Sequence, residues 1–442
     1  MARSQPTTRR AAPPAPATPA PDRLARRYPW LLAAVLLGGL GLRLIMLADY
    51  TAHSPLAQAP LNDARTYWEW AGRIAAGQLS DGTPFFSAPL YPFLLGGVRV
   101  LGGGLTTVYL LQIIMDLATA ALLARLARRR FGPGTGLLAA ALFLLLLDVA
   151  SASLRVLTGS LELLLVTLTW TACAAYQARP DTTRLLALGG AVGLLCLAFA
   201  PAMLLLWLLP LWLLWERRAE RRPLWPAVLP TAVALVVIAP ATLHNRLASG
   251  EWFLIRSGGG VTLAQGNQPQ STGVYTELPG ISTVRGTMHA DAAAQCTAAT
   301  GQPATWRAVD GYYRDQVLAF WTSRPGAALA LVARKAYGFF TSQHYADIYR
   351  AQGEISAGLT PTLRLAPLAT PWLLGAALVG LIGWLRRDFR GHLPALLLAA
   401  IPLVTVVLFF YSPRYRAPAL PVAVVAAAWA LTRVADWRQR PG

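Results

Sequence analysis

The chain has little charge. Only 13% of its 442 residues are Asp, Glu, Lys or Arg, whereas 55% are hydrophobic, and mean hydropathy is +0.44. Those values exclude the ordinary soluble class. Lysine is reduced to Lys335 among 39 basic residues; with so much Ala, Leu, Gly and Pro, this reflects a GC-rich coding bias and carries no function. Cysteine is scarce too. Cys173 and Cys196 lie in apolar runs and Cys296 lies in a polar loop, which excludes a disulfide framework and a cysteine metal site. No GxxxxGK[ST] pattern occurs, so a nucleotide P-loop is not supported. The net charge of +19 raises the question of nucleic acid. The basic residues sit mainly in short clusters between apolar runs, as membrane topology requires, and no nucleic-acid partner is expected.

Apolar runs of spanning length, about 20 residues each, recur through most of the chain. We read ten spans: 29–48, 105–125, 134–152, 157–177, 184–200, 202–216, 224–242, 367–385, 393–411 and 415–433. The fifth and sixth are short and separated only around Pro201, as a hairpin or one broken element. With the N-terminus inside, the inner segments carry 22 basic residues in 69 positions, against 15 in 186 for the outer segments. That asymmetry predicts N-in and C-in. Arg125-Leu126-Ala127-Arg128-Arg129-Arg130 and Arg217-Arg218-Ala219-Glu220-Arg221-Arg222 are its strongest pins. The expected architecture is an all-α polytopic membrane protein. Residues 1–28, rich in Pro, Ala, Thr and Arg, form a disordered cytoplasmic tail. Residues 29–433 form the transmembrane domain, with outer loops 49–104 and 243–366, and 434–442 form a second cytoplasmic tail. The first run, 29–48, reads as an uncleaved anchor. The first outer loop is expected to hold two amphipathic surface helices, from about Asn62 to Ala76 and from Pro89 to Leu101. The large second loop is expected to hold a helix at 325–342.

The first outer loop contains Leu61-Asn62-Asp63-Ala64-Arg65-Thr66-Tyr67-Trp68-Glu69-Trp70. If Asp63 opens a helix, then Asp63, Tyr67 and Ile74 share one face, with Trp70 close by. The carboxylate then faces water and the rings face lipid headgroups. Such a carboxylate suits a general base that deprotonates a hydroxyl acceptor as a lipid-borne group departs. The plainer reading is that Asn62 or Asp63 caps the helix.

Other polar stretches are candidates of lower specificity. Phe85-Phe86-Ser87-Ala88-Pro89-Leu90-Tyr91-Pro92 reads as a stiff entry to the second surface helix. His244-Asn245-Arg246, Ser257-Gly258-Gly259-Gly260 and Gln265-Gly266-Asn267-Gln268-Pro269 offer backbone N–H groups to an anion or a close approach to a sugar; a solvated loop tip is the favoured reading. Ser412-Pro413-Arg414-Tyr415-Arg416 places two arginines at the outer end of the last span. They suit a lipid phosphate, or they snorkel to headgroups. Lys335, Arg256 and Arg65 are weaker candidates for the same duty. Asp148 and Glu162 lie within apolar runs, where carboxylates are costly and often functional; either serves as a second acid near the cavity or pairs with Arg155, and pairing is the expected resolution.

Taken in order, these pieces resemble a known family. Asp63 with Tyr67 and Glu69 resembles the first-loop motif of the GT-C glycosyltransferases, in the branch of the protein O-mannosyltransferases and the lipid A aminoarabinose transferase. Ala88-Pro89-Leu90-Tyr91-Pro92 is similar to that branch's segment after the first surface helix. Asn245-Arg246 and Gly266-Asn267-Gln268-Pro269 resemble the later loop of its bacterial members, and Arg414-Tyr415-Arg416-Ala417-Pro418 resembles their last-span entry. The likeness covers roughly residues 30 to 430. Thr66 and Ser87-Ala88 stand where cousins often carry basic residues. Thr158-Gly159 stands where many carry Thr-Glu, with Glu162 one turn on, and Ala200-Pro201 replaces an Arg-Pro. The resemblance implies a GT-C fold in a bacterial inner membrane and a site facing the periplasm or outside. It also implies a polyprenyl-phosphate sugar as donor among the membrane lipids, an acceptor in the cell envelope, and inversion by one displacement. Asp63 takes the base role by position. Arg65, Tyr67, Glu69, Tyr91, Asn267, Lys335, Arg414 and Arg416 become substrate-binding candidates. No cofactor beyond the lipid-linked donor is called for, and metal dependence is open. Two other functions compete: a flippase or transporter of a lipid-linked saccharide, against which the missing internal repeat speaks, and a noncatalytic assembly factor of the same fold.

Overall fold

The computed structural model describes residues 23–342 and 350–438. Among them there are no strands, only isolated bridges joining Leu146 to Leu368 and Val274 to Tyr411. Helix α1 (Arg23–His53) is followed by the two short helices of the first loop, α2 (Asn62–Ala75) and α3 (Leu90–Val100). Next come α4 (Leu105–Phe131), α5 (Pro133–Leu145), α6 (Leu147–Ala152), α7 (Gly159–Ala178), α8 (Thr182–Ala198), α9 (Leu205–Ala219) and α10 (Leu229–Ser249). The second loop folds into α11 (Gly259–Gln265), α12 (Arg285–Thr300), α13 (Trp306–Ser323), α14 (Pro325–Thr341) and α15 (Ala351–Ser356). The chain closes with α16 (Thr370–Leu408), α17 (Pro413–Arg416) and α18 (Leu420–Arg438).

Among the described residues seven helical segments are long and apolar enough to cross a membrane, and α5 and α8 are shorter apolar helices. Large apolar side chains such as Leu37, Ile114, Trp207, Leu211 and Val236 are exposed along them, as a lipid-facing surface requires. Helix α16 would be about 58 Å long if straight, nearly twice a bilayer core of about 30 Å. It is two helices instead. Asp388 leaves helical geometry (φ −156°, ψ 72°), and its Oδ1 accepts from Gly391 N at 2.8 Å, restarting the helix as an N-cap does. Helix α18 is the centre of the bundle, buried almost continuously from Val422 to Ala430. Helices α8 and α10 meet through Gly189 and Gly193, where an added methyl would collide with Pro230, Val233 and Val237; this is the small-residue packing of membrane helices.

Contacts between connecting segments sort into two ends. At the arginine-rich end, Arg130 pairs with Asp388 at 3.0 Å and Arg390 with Glu216 at 3.2 Å, while Arg222 donates to the Pro180 carbonyl. At the opposite end, Asp49 accepts from Thr362, Asn245 accepts from Phe85 N and Tyr109 donates to the Ala57 carbonyl. Each of these links joins segments that the charge asymmetry assigns to one side.

Several boundaries differ from expectation. Helix α1 starts at Arg23, so residues 23–28 continue the first span rather than a tail; residues 1–22 lie outside the described residues, as do 439–442 of the second tail. The span expected at 134–152 breaks at Leu146, where Leu147 N bonds to Leu368 O and Leu368 N to Leu145 O, both at 3.1 Å. Around Pro201 the chain makes a 3-10 turn, Ala200–Leu204, between two separate helices. The rings of α2 do not face headgroups. Trp70 is buried against Phe85 and Phe86, because α3 and the 85–86 segment cover that face.

Candidate active site

Helix α2 opens at Asn62 with Leu61 as N-cap and no side-chain capping bond, so neither Asn62 nor Asp63 serves as the cap. Asn62 has φ +49°, a left-handed conformation that Asn tolerates better than most residues. Asp63 follows in the first turn, where the helix dipole favours a carboxylate. Its Oδ2 accepts from Arg414 Nη1 at 2.8 Å, and the two side chains are 20% and 40% exposed. Arg414 is held by a built turn. Pro413 occupies the first position of α17, and the Ser412 side chain accepts from Arg414 N. Glu162, in the first turn of α7 and hydrogen-bonded to Thr158, also lies within electrostatic reach of this arginine. One guanidinium thus stands among carboxylates from two helices that are remote in sequence.

The remaining candidates separate into other networks. Arg65 and Glu69 pair with each other at 2.7 Å on the solvent face of α2, 67% and 54% exposed. The Tyr67 hydroxyl lies 2.9 Å from Ser87 Oγ and its ring meets Tyr91 edge-on. Tyr91 is buried and donates to Gln112 Oε1 at 2.7 Å, while Gln112 Nε2 donates to the carbonyls of Ser153 and Arg155. Burial pushes the Tyr91 phenol well above its usual range, so it stays a neutral donor. These tyrosines shape the site from behind by fastening α2 and α3 to α4.

Arg416, two residues from Arg414, is a different object. It is buried and donates to Asp148 Oδ2 at 2.5 Å, Ser342 Oγ at 2.6 Å and Phe339 O at 3.1 Å. Asp148 also accepts from Thr370 at 2.7 Å. The expected pairing of Asp148 or Glu162 with Arg155 is therefore corrected. Arg155 pairs with Glu354 at 3.0 Å, both side chains buried, because the second loop brings α15 down onto that arginine. Lys335 is fully buried and donates to Asn267 Oδ1 at 2.8 Å and to the carbonyls of Val407 and Leu408. Burial lowers its amine to about 7. Asn267 donates in turn to Leu263 O and Leu408 O. Lys335 and Asn267 thus fasten the second loop to the chain leading into Arg414. Gly266 permits this closeness, since a methyl there would strike the Phe409 carbonyl. Arg256 donates to Phe86 O, and Asn245 bonds Phe85 N, Phe253 O and Ile255 O, tying the two loops together.

The glycine segment does present N–H groups to an anion, but the anion is internal. Asp310 of α13 accepts from Gly260 N at 2.9 Å and also from Gly258 and Gly259. Burial raises its carboxyl above the ordinary range, against those bonds. Cys173, Cys196 and Cys296 are free and buried. Among the described residues no group of three His, Cys, Asp or Glu side chains gathers as a metal site. Asp310 and Glu354 had no sequence signal, because each partner lies on a distant segment. Glu162 had one: it falls one turn beyond the place where the resembled family carries Thr-Glu.

Comparison with family models agrees with the resemblance read from the sequence over part of the chain. Residues 86–244 match the family model described as dolichyl-phosphate-mannose-protein mannosyltransferase. The resemblance to GT-C glycosyltransferases is borne out in that stretch, and the helical membrane architecture accords with it. Among solved structures, the oligosaccharyltransferase of Archaeoglobus fulgidus tethered with an acceptor peptide shares 14% identity at a TM-score of 0.46, over 90% of this chain and 50% of that one. ArnT of Cupriavidus metallidurans bound to undecaprenyl phosphate shares 16% identity at a TM-score of 0.39, over 93% of this chain and 78% of that one. The chain therefore spans about half the length of the archaeal enzyme. At TM-scores this low, neither likeness bears on the chemistry of the site. No curated protein sequence matches the chain.

Proposed function

We propose that the protein is an inverting glycosyltransferase that moves a sugar from a polyprenyl-phosphate carrier to a hydroxyl acceptor outside the cytoplasm, with Asp63 as general base. The single observation that supports it best is the ion pair between Asp63 and Arg414 at 2.8 Å. It brings a carboxylate and a phosphate-binding group together at the end of the bundle away from the arginine clusters. The acceptor oxygen attacks the anomeric carbon, the bond from that carbon to the phosphate oxygen breaks, and the acceptor proton passes to Asp63. The lipid phosphate leaves with the bonding electron pair. Arg414 meets its charge, since a planar guanidinium serves a carboxylate and a phosphate through separate N–H groups. One displacement inverts the anomeric centre. A lipid phosphate is already a good leaving group, so a second carboxylic acid of the kind glycosidases need is not obligatory. The same reading sets the protein in a bacterial inner membrane with the site facing the periplasm or outside.

The test is Asp63→Asn in purified protein, assayed by release of polyprenyl phosphate from a lipid-linked sugar. Transfer should fall by about two to four orders of magnitude, the usual worth of a positioned base, with the helical circular-dichroism signal intact. Turnover at the wild-type rate removes the mechanism.

A further inference from the structure

A second site lies in the large loop, apart from Asp63 and Arg414. A cavity of about 250 Å³ opens between α11, α12 and α13. Carboxamides dominate its polar lining: Asn267, Gln268, Gln270, Gln295 and Gln316, with Tyr313 beside them and no charged side chain. Three of them are held by the protein. Gln295 donates to Pro279 O at 2.7 Å and accepts from the Tyr313 hydroxyl at 2.9 Å. Asn267 Oδ1 accepts from both Lys335 and Trp321, and Gln268 donates to Glu277 O. Gln270 and Gln316 are exposed at the rim. Beneath lies a small apolar core of its own, built on Val261, Leu278, Ala292 and Val309, so the walls stand on packed helices.

Such a lining selects by chemistry. A carboxamide carries both donors and acceptor lone pairs, and so do hydroxyls; Asn267 spends all of its own inside the protein, so the exposed Gln270 and Gln316 supply the groups that match a neutral polyhydroxyl better than an anion. A phosphate or uronate would find no cation here. The volume falls below the range of about 300–1,000 Å³ for drug-sized ligands, the scale of one sugar unit. The wall is also bonded to the active segment. Asn267 donates to Leu408 O at 2.7 Å and Tyr411 N donates to Gly273 O at 2.8 Å, three residues before Arg414.

We infer that this cavity is a binding site for a neutral saccharide unit of the acceptor, which makes the acceptor a glycan or glycolipid rather than a bare protein hydroxyl. The acceptor role rests on the transfer reaction proposed above; the binding does not. The experiment is saturation-transfer-difference NMR on the detergent-solubilised full chain. The probes are methyl glycosides of neutral hexoses and pentoses, glucuronic acid, and a Ser/Thr-containing hexapeptide. Saturation of a neutral glycoside is expected, and it should be lost in the double variant Gln270→Leu, Gln316→Leu. Both residues are on the surface, so thermal unfolding of that variant should match wild type. Equal saturation of glucuronic acid, preference for the peptide, no saturation of any probe, or a neutral signal that survives both substitutions overturns the assignment. These readouts need no turnover, so they separate failure of the cavity from failure of the transfer reaction. In the transfer assay the double variant should raise the acceptor KM about tenfold, the worth of one or two hydrogen bonds, with the donor KM unchanged. An unchanged acceptor KM sinks the acceptor role.

Discussion

Arg414 and Arg416 stand two residues apart, and their alanine variants should fail in opposite ways. The Arg414 side chain is 40% exposed and pairs with Asp63, itself 20% exposed. A pair so open to water is worth about 0–1 kcal/mol, so Arg414→Ala should leave thermal unfolding nearly where it was. The rate should suffer instead. Removing one preorganised donor from developing negative charge costs about two to three orders of magnitude. Arg416 is 1% exposed and holds Asp148, with further bonds to Ser342 and Phe339. Breaking a buried pair from one side costs about 3–5 kcal/mol; Asp148 is 32% exposed, which puts the loss near the lower figure. Arg416→Ala should therefore unfold at a visibly lower temperature, or accumulate poorly, while the folded fraction retains transfer activity. The assay is paired: thermal unfolding in detergent, and initial rate of lipid-phosphate release per folded molecule. An Arg414→Ala protein that melts far below wild type refutes the division of labour. So does an Arg416→Ala protein of wild-type stability that has lost transfer.

Two smaller predictions accompany it. Arg65→Ala and Glu69→Ala should each leave thermal unfolding essentially where it was and the transfer rate within about twofold, since the pair is exposed on the far face of α2; a large rate loss restores them to the site. Lys335, lowered to about 7 from 10.5 by burial, binds fewer protons in the folded chain than in the unfolded chain between those values. Stability should therefore rise with pH across that window. In Lys335→Met the rise should be smaller. A steeper rise in the variant, measured by unfolding from about pH 6.5 to about pH 9.5, contradicts the assigned burial effect.

Much of the fold was legible because membrane helices advertise themselves locally. A run of apolar residues of the right length must be helical in lipid, where every backbone group needs an internal partner, and the helices stand close to the expected positions. The surface helix from Asn62, a mixed polar and aromatic stretch, and the helix from Pro325 were also visible. The failures came where two remote segments decide together. The break at Leu146 depends on Leu368, and the buried face of Trp70 depends on Phe85 and Phe86. The Ser257–Gly260 segment offered N–H groups to an anion only beside the plainer reading of a loop tip, and Asp310, far along the chain on α13, supplies the anion.

Composition and the order of apolar runs by themselves determined that this chain is a bundle of apolar helices, because transfer of side chains out of water sums residue by residue. Asp63 was pointed to by the first-loop motif and the family it resembles. Which charges meet was decided only by the tertiary structure. Asp63 found Arg414, Asp148 found Arg416, and Arg155 found Glu354. Whether each pair is open or sealed sets whether it is suited to chemistry or to holding helices together. An ion pair's worth depends on distance and on the water left around it, and neither quantity is carried by position along the chain.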